Sequence, residues 1–285
     1  MKKRLDIQKT YKLYINGKFS RTESGRYFPI NDGNGNLIAN ICKASRKDFR
    51  EAVKAARNAV SGWSSRTAYN RGQILYRIAE TLECRKKQFI EELVTMGIKR
   101  NNIEEEVENS LDRLVYYAGW TDKYQQLFSS VNPVSSSHYN FSVPEYQGVI
   151  AIITPINYPL LGMVSLIAPA IAGGNTVVCL ASEKSPLSSI SFAEVLHASD
   201  MPIGVVNILT GFPSELSEHF SSHMDINGIV CCKDHKNQLK SIQENAAENV
   251  KRVHYYNETN WMDVQSPYFI LDHTEIKTTW HPVGS

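Results

Sequence analysis

Five cysteines are the residues of this 285-residue chain whose chemistry is easiest to recognise. They are Cys42, Cys84, Cys179, Cys231 and Cys232. A thiolate can act as a nucleophile or bind a metal, but no short spacing repeats among the five, and an odd number does not suit a disulfide framework. The Cys231-Cys232 pair lacks a second cysteine pair or a histidine pair at metal-binding spacing. We therefore expect reduced thiols, with this pair packed in a buried strand.

Other short motifs of catalysis and nucleotide binding are missing from the sequence. Neither G-x-G-x-x-G nor G-x-x-x-x-G-K-[ST] occurs, so the usual phosphate-binding loops are not predicted. His197, His219 and His254 have no metal-binding spacing among them, and we interpret them as structural or solvent-facing. The sequence therefore predicts no metal site.

The composition is that of a globular protein that can fold without disulfide or metal cross-links. Hydrophobic residues make up 42% of the chain, and 31 lysines and arginines against 29 acidic residues leave a formal net charge of +2. This balance does not point to nucleic acid or to an anionic membrane as a partner. The polar N-terminal segment lacks a signal core, and the apolar stretch 160–172 is too short to span a bilayer. The cytoplasm is therefore the expected compartment.

The N-terminal part predicts a small β element followed by three helices. An Asn-Gly pair at residues 16–17 lies between alternating residues and favours a hairpin. Ser45, with Asp48 three residues later, predicts the start of the first helix. Apolar residues at helical spacing predict two further helices, over residues 70–96 and 103–127.

From residue 148 onwards, short β-branched runs alternate with helical patterns. Strands are predicted at 149–153, 176–180, 205–209, 228–232 and 251–256, with helices at 160–172, 186–198, 215–220 and 237–247 between them. Such alternation is typical of βαβ units and predicts a parallel sheet. Before it, residues 129–147 carry a serine-rich turn between two strand-like segments, which predicts a protruding β hairpin.

Four ordered blocks of this region resemble the aldehyde dehydrogenase superfamily. They read GVIAIITPINYPLL at 148–161, IAPAIAGGNTVV at 167–178, SEKSPL at 182–187 and MPIGVVNILTG at 201–211. Smaller blocks extend the resemblance over most of residues 11–256. It implies the family's NAD-binding domain, a doubly wound, mainly parallel, Rossmann-like α/β sheet. It also implies a cysteine nucleophile, a glutamate general base, an oxyanion hole with an asparagine amide, and a nicotinamide cofactor.

The resemblance assigns the oxyanion and cofactor positions only in part. Asn157 stands at the oxyanion asparagine, beside Thr154 and Pro155, and Ile156 replaces the aromatic residue common in the family. Glu183 matches the glutamate that binds the cofactor ribose. These five residues form the candidate, vestigial cofactor-binding set, in which Asn157 is also the vestigial catalytic residue.

Other family contacts to the cofactor are replaced. The ribose-binding lysine is Leu180 here, and the Phe-Thr-Gly-Ser turn that lies against the pyrophosphate reads CCKD at residues 231–234. Lys233 in place of glycine removes the close backbone approach that a phosphate needs, and Asp234 adds a like charge. We therefore expect that no cofactor is required and that binding of NAD or NADP is weak or lost.

The catalytic pair is missing from its family positions. Tyr256 replaces the general-base glutamate. Glu258 lies two residues further, a displacement of roughly 7 Å at about 3.3 Å per residue, which is out of register with a substrate. The family's nucleophilic cysteine would fall past Ser285, and no cysteine follows Cys232. The resemblance therefore implies that no catalytic residue is intact.

The C-terminal segment HTEIKTTWH at 273–281 resembles the last strand of full-length aldehyde dehydrogenases, which pairs with a neighbouring subunit. Alternation from Ile270 onwards favours an open edge strand. We therefore divide the chain into an NAD-binding-type domain, 1–128 and 148–258, and a β oligomerisation unit, 129–147 and 268–285. The catalytic domain is predicted to be absent, missing internally between about Thr259 and Pro267.

These losses and retentions favour a non-catalytic protein, similar to the degenerate second module of the family-16 aldehyde dehydrogenases. Such a chain would form a homo-oligomer or join an active aldehyde dehydrogenase as a structural or regulatory subunit. Two alternatives stay open: an NAD(P)-dependent oxidoreductase that converts aldehydes to carboxylates, and a nucleotide-sensing module. Aldehyde-dependent NAD(P)H formation and calorimetric binding of NAD or NADP discriminate between them.

Overall fold

The computed structural model of the chain describes residues 9–32, 35–98, 100–257 and 260–284. Its strands are β1 (Leu13–Ile15), β2 (Lys18–Ser20), β3 (Tyr27–Asn31), β4 (Leu37–Cys42), β5 (Ser130–Asn132), β6 (His138–Tyr146), β7 (Val149–Ile153), β8 (Thr176–Leu180), β9 (Val206–Leu209), β10 (Gly228–Cys232), β11 (Arg252–Tyr256) and β12 (Thr274–Pro282). Its helices are α1 (Arg46–Ser64), α2 (Ala68–Cys84), α3 (Lys86–Thr95), α4 (Arg100–Trp120), α5 (Tyr124–Phe128), α6 (Leu161–Ala172), α7 (Leu187–Ala198), α8 (Pro213–Ser222), α9 (Lys236–Ala247) and α10 (Tyr268–Leu271). A 3₁₀ turn, Lys233–His235, leads into α9.

A seven-stranded sheet forms the centre of the molecule, with strand order β11-β10-β7-β8-β9-β1-β2. The strands from β11 to β9 are parallel, and the antiparallel pair β1 and β2 extends the sheet beyond β9. The chain moves outward from β7 in both directions, first through β8 and β9 and then through β10 and β11. This order confirms the predicted doubly wound, mainly parallel α/β sheet.

Helices cover both faces of this sheet, which explains the continuous apolar runs of its strands. β7 and β8 are buried at every residue. Side chains alternate between the two faces: Ile150 and Ile152 pack in the same core as residues of α2, α4, α6 and α7. Val149, Ala151 and Ile153 pack on the opposite face, with residues of α1, α8 and α9.

Helix α6 lies wholly inside the core, as its apolar sequence predicts. All of its residues are buried, and the hydroxyl of Ser165 is satisfied by donating to the carbonyl of Leu161 at 2.6 Å. Within the described ranges, no helix combines the length and the apolar character that crossing a membrane requires.

The predicted N-terminal signals produce the expected local structures. Ser45 Oγ accepts hydrogen bonds from the amides of Lys47 and Asp48 at 3.2 Å each, and Asp48 Oδ2 accepts the Ser45 amide at 2.8 Å. This is a complete capping box at the start of α1. Asn16 and Gly17 join β1 to β2 with φ values of 52° and 69°, the left-handed conformation that a type I′ hairpin requires.

Two of the predicted helices have the wrong boundaries. The segment 70–96 is not one helix, because the chain breaks at Arg85 into α2 and α3. On either side of the break, α2 packs against α4, α6 and α7, and α3 packs against α4 and α7. The segment 103–127 is also divided, since α4 ends at Trp120 and a turn separates it from the short α5. Hydrophobic periodicity continued across both turns and therefore did not reveal them.

A separate antiparallel sheet, β12-β6-β5, confirms the predicted hairpin and adds the C-terminal strand to it. The predicted alternation from Ile270 is wrong at its start, because Ile270 and Leu271 belong to α10 and the strand begins at Thr274. Ile270 is fully buried in the main core, so packing against α6 decides its conformation. β12 pairs with β6 along its whole length, and among the strands that the structure describes its other edge has no partner.

Candidate functional site

The crevice between β7 and β10 is the place where this fold would bind a ligand. The strand order reverses there, because the chain leaves β7 toward β8 and later returns to β10 on the other side. In open α/β sheets, ligands bind beyond the carboxyl ends of the strands at such a switch point. The 154–160 connection between β7 and α6 forms one wall, and the Lys233–His235 turn forms the other.

Two hydrogen bonds join the walls of this crevice directly. Asp234 Oδ2 accepts the backbone amide of Ile156 at 2.7 Å. Beside it, His235 Nε2 donates to the carbonyl oxygen of Thr154 at 2.9 Å, and the imidazole is buried. Thr154 is fixed in turn, since its hydroxyl donates to the carbonyl of Leu180 at 2.9 Å. The turn after β10 is therefore held against the connection after β7.

A nicotinamide dinucleotide does not fit these residues as they stand. Its pyrophosphate would need backbone donors at the switch point and a close approach to the chain after β10. The Ile156 amide already has a carboxylate acceptor, and the first residue of the turn after β10 is an exposed lysine, Lys233. At the end of β8, Leu180 offers a fully buried apolar side chain.

The predicted residues of the first block lie together in the 154–160 connection. Thr154 and Pro155 are buried, Ile156 is half-buried and Asn157 is exposed. Asn157 and Ile156 line a cavity of about 460 Å³, with Glu106 of α4 on another wall. The structure therefore keeps an open volume beside the candidate oxyanion asparagine.

Glu183 lies apart from the other predicted residues. It follows the end of β8, where it is half-buried, and its neighbours Lys184 and Ser185 line the cavity beside Asn157. Within the described part of the chain, no hydrogen bond joins the Glu183 side chain to the 154–160 connection. The link between the two segments is instead Ser182, whose hydroxyl lies 3.4 Å from the carbonyl oxygen of Ile156.

Tyr256 occupies the end of β11 as a packed and hydrogen-bonded residue. Its hydroxyl donates to Asp272 Oδ2 at 2.5 Å, and its ring contacts Phe269 with centroids 4.9 Å apart. Burial and the nearby Asp272 carboxylate raise the pKa of the Tyr256 hydroxyl far above its usual value. It cannot serve as a base near neutral pH. Glu258, the candidate substitute, and Thr259 lie outside the described residues.

The cysteine thiols are placed as the sequence predicts for structural residues. Cys42, Cys179, Cys231 and Cys232 are buried, and Cys84 is exposed at the end of α2, outside the crevice. Burial raises the pKa of Cys231 to about 11 and that of Cys232 well above the usual value, so both remain protonated thiols. Within the ranges that the structure covers, no group of three histidine, cysteine or acidic side chains could hold a metal ion.

Glu106 is a residue of the site that the sequence reasoning missed. It is only 1% exposed, and its Oε1 accepts the amides of Leu160 and Leu161, at 3.0 and 3.3 Å, at the start of α6. Burial raises the pKa of this carboxyl group to about 7, although the two amide bonds favour the charged form. In sequence, the run Glu104-Glu105-Glu106 resembles a solvated helix face. The pattern in the sequence that could have identified Glu106 is a row of polar residues at helical spacing, Glu106, Ser110, Arg113 and Tyr117. All four are buried in the structure.

Arg113 connects this row of polar residues to residues 260–267, which we call the closing segment. Its guanidinium donates to Ser165 Oγ at 2.7 Å, to the carbonyl of Trp261 at 3.1 Å and to Gln265 Oε1 at 3.2 Å. Arg113 and Trp261 are each 1% exposed. The closing segment therefore covers α4 and α6 immediately after the end of β11.

Taken together, the doubly wound sheet, the switch-point crevice and the separate antiparallel sheet define a dehydrogenase-type cofactor domain with a β arm. The profile of the aldehyde dehydrogenase family matches residues 19–280, and the chain belongs to that family. It is 35% identical over 257 residues to retinal dehydrogenase 2 of Gallus gallus, which covers 87% of this chain and 48% of the relative. It is 33% identical to 2-hydroxymuconic semialdehyde dehydrogenase of Pseudomonas sp. (strain CF600), covering 87% and 52%.

Solved structures give the same result. The NAD+ complex of aldehyde dehydrogenase from Bacillus cereus superposes with a TM-score of 0.81 at 28% identity, covering 87% of this chain and 50% of that one. The chain therefore spans about half the length of the relatives it matches. Family membership and the fold are established by these matches, whereas the activity of the longer proteins is not transferred by them.

Proposed function

We propose that this chain is a non-catalytic member of the aldehyde dehydrogenase family that acts as a structural or regulatory subunit. It would do so as a homo-oligomer or together with a full-length aldehyde dehydrogenase, in the cytoplasm. The observation that carries the proposal is at the end of β11, where Tyr256 is bonded to Asp272 in the position of the general base.

The chemistry of aldehyde oxidation has no support among the described side chains. An acyl-transfer mechanism needs an activated nucleophile and a base within hydrogen-bond reach of it. The thiols of β8 and β10 are buried and protonated, and Cys84 lies on an outer helix. The closed walls of the crevice further support the proposal that no cofactor is required and that NAD or NADP binding is weak or lost.

The arm supports a role in assembly. β12 is nine residues long, and alternate residues along its open edge direct backbone N–H and C=O groups away from β6. Arg252 on β11 forms a bidentate ion pair with Glu275, at 2.7 and 2.5 Å, which is an exposed contact between the main sheet and β12. Ile276 and Trp280 lie on the same face of β12 and are 61% and 58% exposed. An open edge beside exposed apolar side chains is suited to pairing with another chain.

Size-exclusion chromatography with light scattering tests the assembly role. The wild-type chain should elute at a multiple of its 32.2 kDa mass, or do so after mixing with a full-length aldehyde dehydrogenase from the same cell. Trp280→Lys should reduce this association because it places a charge beside the open edge. Tyr27→Lys is the matched control, since Tyr27 is a 66% exposed aromatic residue on β3.

The outcomes separate the two parts of the proposal. A monomer under all conditions, with or without the enzyme, would rule out an assembly role through β12. Aldehyde-dependent formation of NADH or NADPH by the purified chain would contradict the non-catalytic part. Association that is equally reduced by both lysine substitutions would place the interface elsewhere.

A further inference from the structure

Two carboxylates from other parts of the chain bind the backbone amides of the 154–160 connection. Asp234 accepts from the Ile156 amide, and Glu106 accepts from the amides of Leu160 and Leu161. Backbone amides in such a strand-to-helix connection are the donors with which α/β proteins bind phosphate. In this chain these donors already have side-chain carboxyl oxygens as acceptors.

The two carboxylates differ in their access to solvent. Glu106 is buried and caps α6 from within the core, whereas Asp234 is exposed at the mouth of the crevice. Asp234 and Ile156 lie on opposite walls of the switch point, 78 positions apart in sequence. The backbone that carries Asp234 is fixed, because the neighbouring His235 is bonded to Thr154. Asp234 is thus the carboxylate that an incoming ligand would meet.

We propose that Asp234 is an internal substitute for the phosphate of a nucleotide. Its carboxylate accepts the hydrogen bond of the Ile156 amide, which an incoming phosphate would need as a donor. The chain itself therefore keeps the crevice closed to ADP and to dinucleotides. A phosphate would have to displace this carboxylate and then lie beside its negative charge. The inference rests on the proposed function and deepens it, since it names the residue that excludes the cofactor. Removal of the carboxylate should therefore create an anion site.

Isothermal titration calorimetry with ADP on the whole 285-residue chain tests this inference. ADP is the probe because it carries a diphosphate without the nicotinamide. Asp234→Ser removes the carboxylate, and the double variant K233G/D234S also restores a close backbone approach. Asp234→Asn keeps an acceptor for the Ile156 amide but removes the charge, so its folding is least disturbed. Asp112→Ser is the matched control, an exposed carboxylate on α4.

We expect no saturable ADP binding by the wild-type chain or by D112S. D234S should bind ADP saturably, with a Kd at least about tenfold below the highest ADP concentration at which the other two show no binding, the change expected when one charge-assisted hydrogen-bond donor is freed. D234N should bind less tightly than D234S, and the double variant at least as tightly. As a second measurement, ADP should raise the unfolding temperature of D234S but not that of the wild type.

Two results would overturn the inference in distinguishable ways. If the folded variants bind ADP no better than the wild type and D112S, Asp234 does not close the crevice, and the proposed non-catalytic function stands. If the wild-type chain itself binds ADP or NAD saturably, both the inference and the proposed loss of the cofactor are wrong. The assembly experiment is independent of either result.

Discussion

Replacing Trp261 by alanine tests whether the closing segment is a packed part of the core. The indole is 1% exposed and meets the ring of Tyr256 at an interplanar angle of 89°. Truncation of a buried tryptophan removes its transfer free energy and leaves a cavity, which lowers the free energy of unfolding by about 3–5 kcal/mol. At roughly 2–4 °C per kcal/mol for a chain of this size class, the melting temperature should fall by about 6–20 °C.

Guanidinium unfolding monitored by circular dichroism and by tryptophan fluorescence measures this loss. Tyr69→Ala is the control, because Tyr69 is 70% exposed and its truncation should change the free energy of unfolding by less than about 1 kcal/mol. The backbone carbonyl of Trp261 can still accept from Arg113 in the alanine variant, so the measured loss reports the indole itself. A loss for Trp261→Ala as small as that for Tyr69→Ala would refute the assignment of residues 260–267 as a closing segment.

Two further predictions concern titration and thiol access. Burial and the neighbouring His254 lower the pKa of His273 to about 3, so the folded state keeps this imidazole neutral while the unfolded state binds a proton below about pH 6.5. The free energy of unfolding should therefore fall as the pH drops below that value, by roughly 1 kcal/mol per pH unit from this group. In His273→Asn the fall should be shallower. An unchanged slope would contradict the conclusion that His273 is kept neutral in the folded state. Among the five cysteines, Cys84 alone is exposed, so a thiol reagent should label the native chain once. Cys84→Ser should abolish that labelling. Rapid labelling of more than one thiol in the native chain would contradict the burial of the other four cysteines.

Most of the fold was predictable because its signals are local. The buried strands β7, β8 and β10 are short β-branched or apolar runs, and α1 begins at a capping box that is written in the sequence. The errors arose where distant contacts decide the conformation. At the break, Arg85 forms an ion pair with Glu194 of α7, and the helical turn at Ile270 packs against α6.

The candidate site was less predictable for the same physical reason. Family resemblance located the 154–160 connection and the turn after β10, but not the bond between Ile156 and Asp234. Glu106 and Arg113 were missed because a charged residue on a helix is usually solvated, and only its partners reveal that it is buried. Those partners lie 54 positions away for Glu106 and up to 152 positions away for Arg113.

The backbone fold and the hydrogen-bond donors at the strand ends are specified by different residues. The fold can therefore persist when those donors are no longer free to bind a ligand. A TM-score of 0.81 to an NAD+ complex measures the arrangement of buried strands and helices, which apolar packing determines. Ligand binding depends instead on a few exposed groups at the ends of β7 and β10. The cavity of about 460 Å³ beside Asn157 is lined by residues of α4 and of the 154–160 connection, not by the Lys233–His235 turn, so its volume does not measure the crevice. The backbone donors of the 154–160 connection are satisfied by Asp234 and Glu106, and a change of acceptor at these positions leaves the packing of the fold intact.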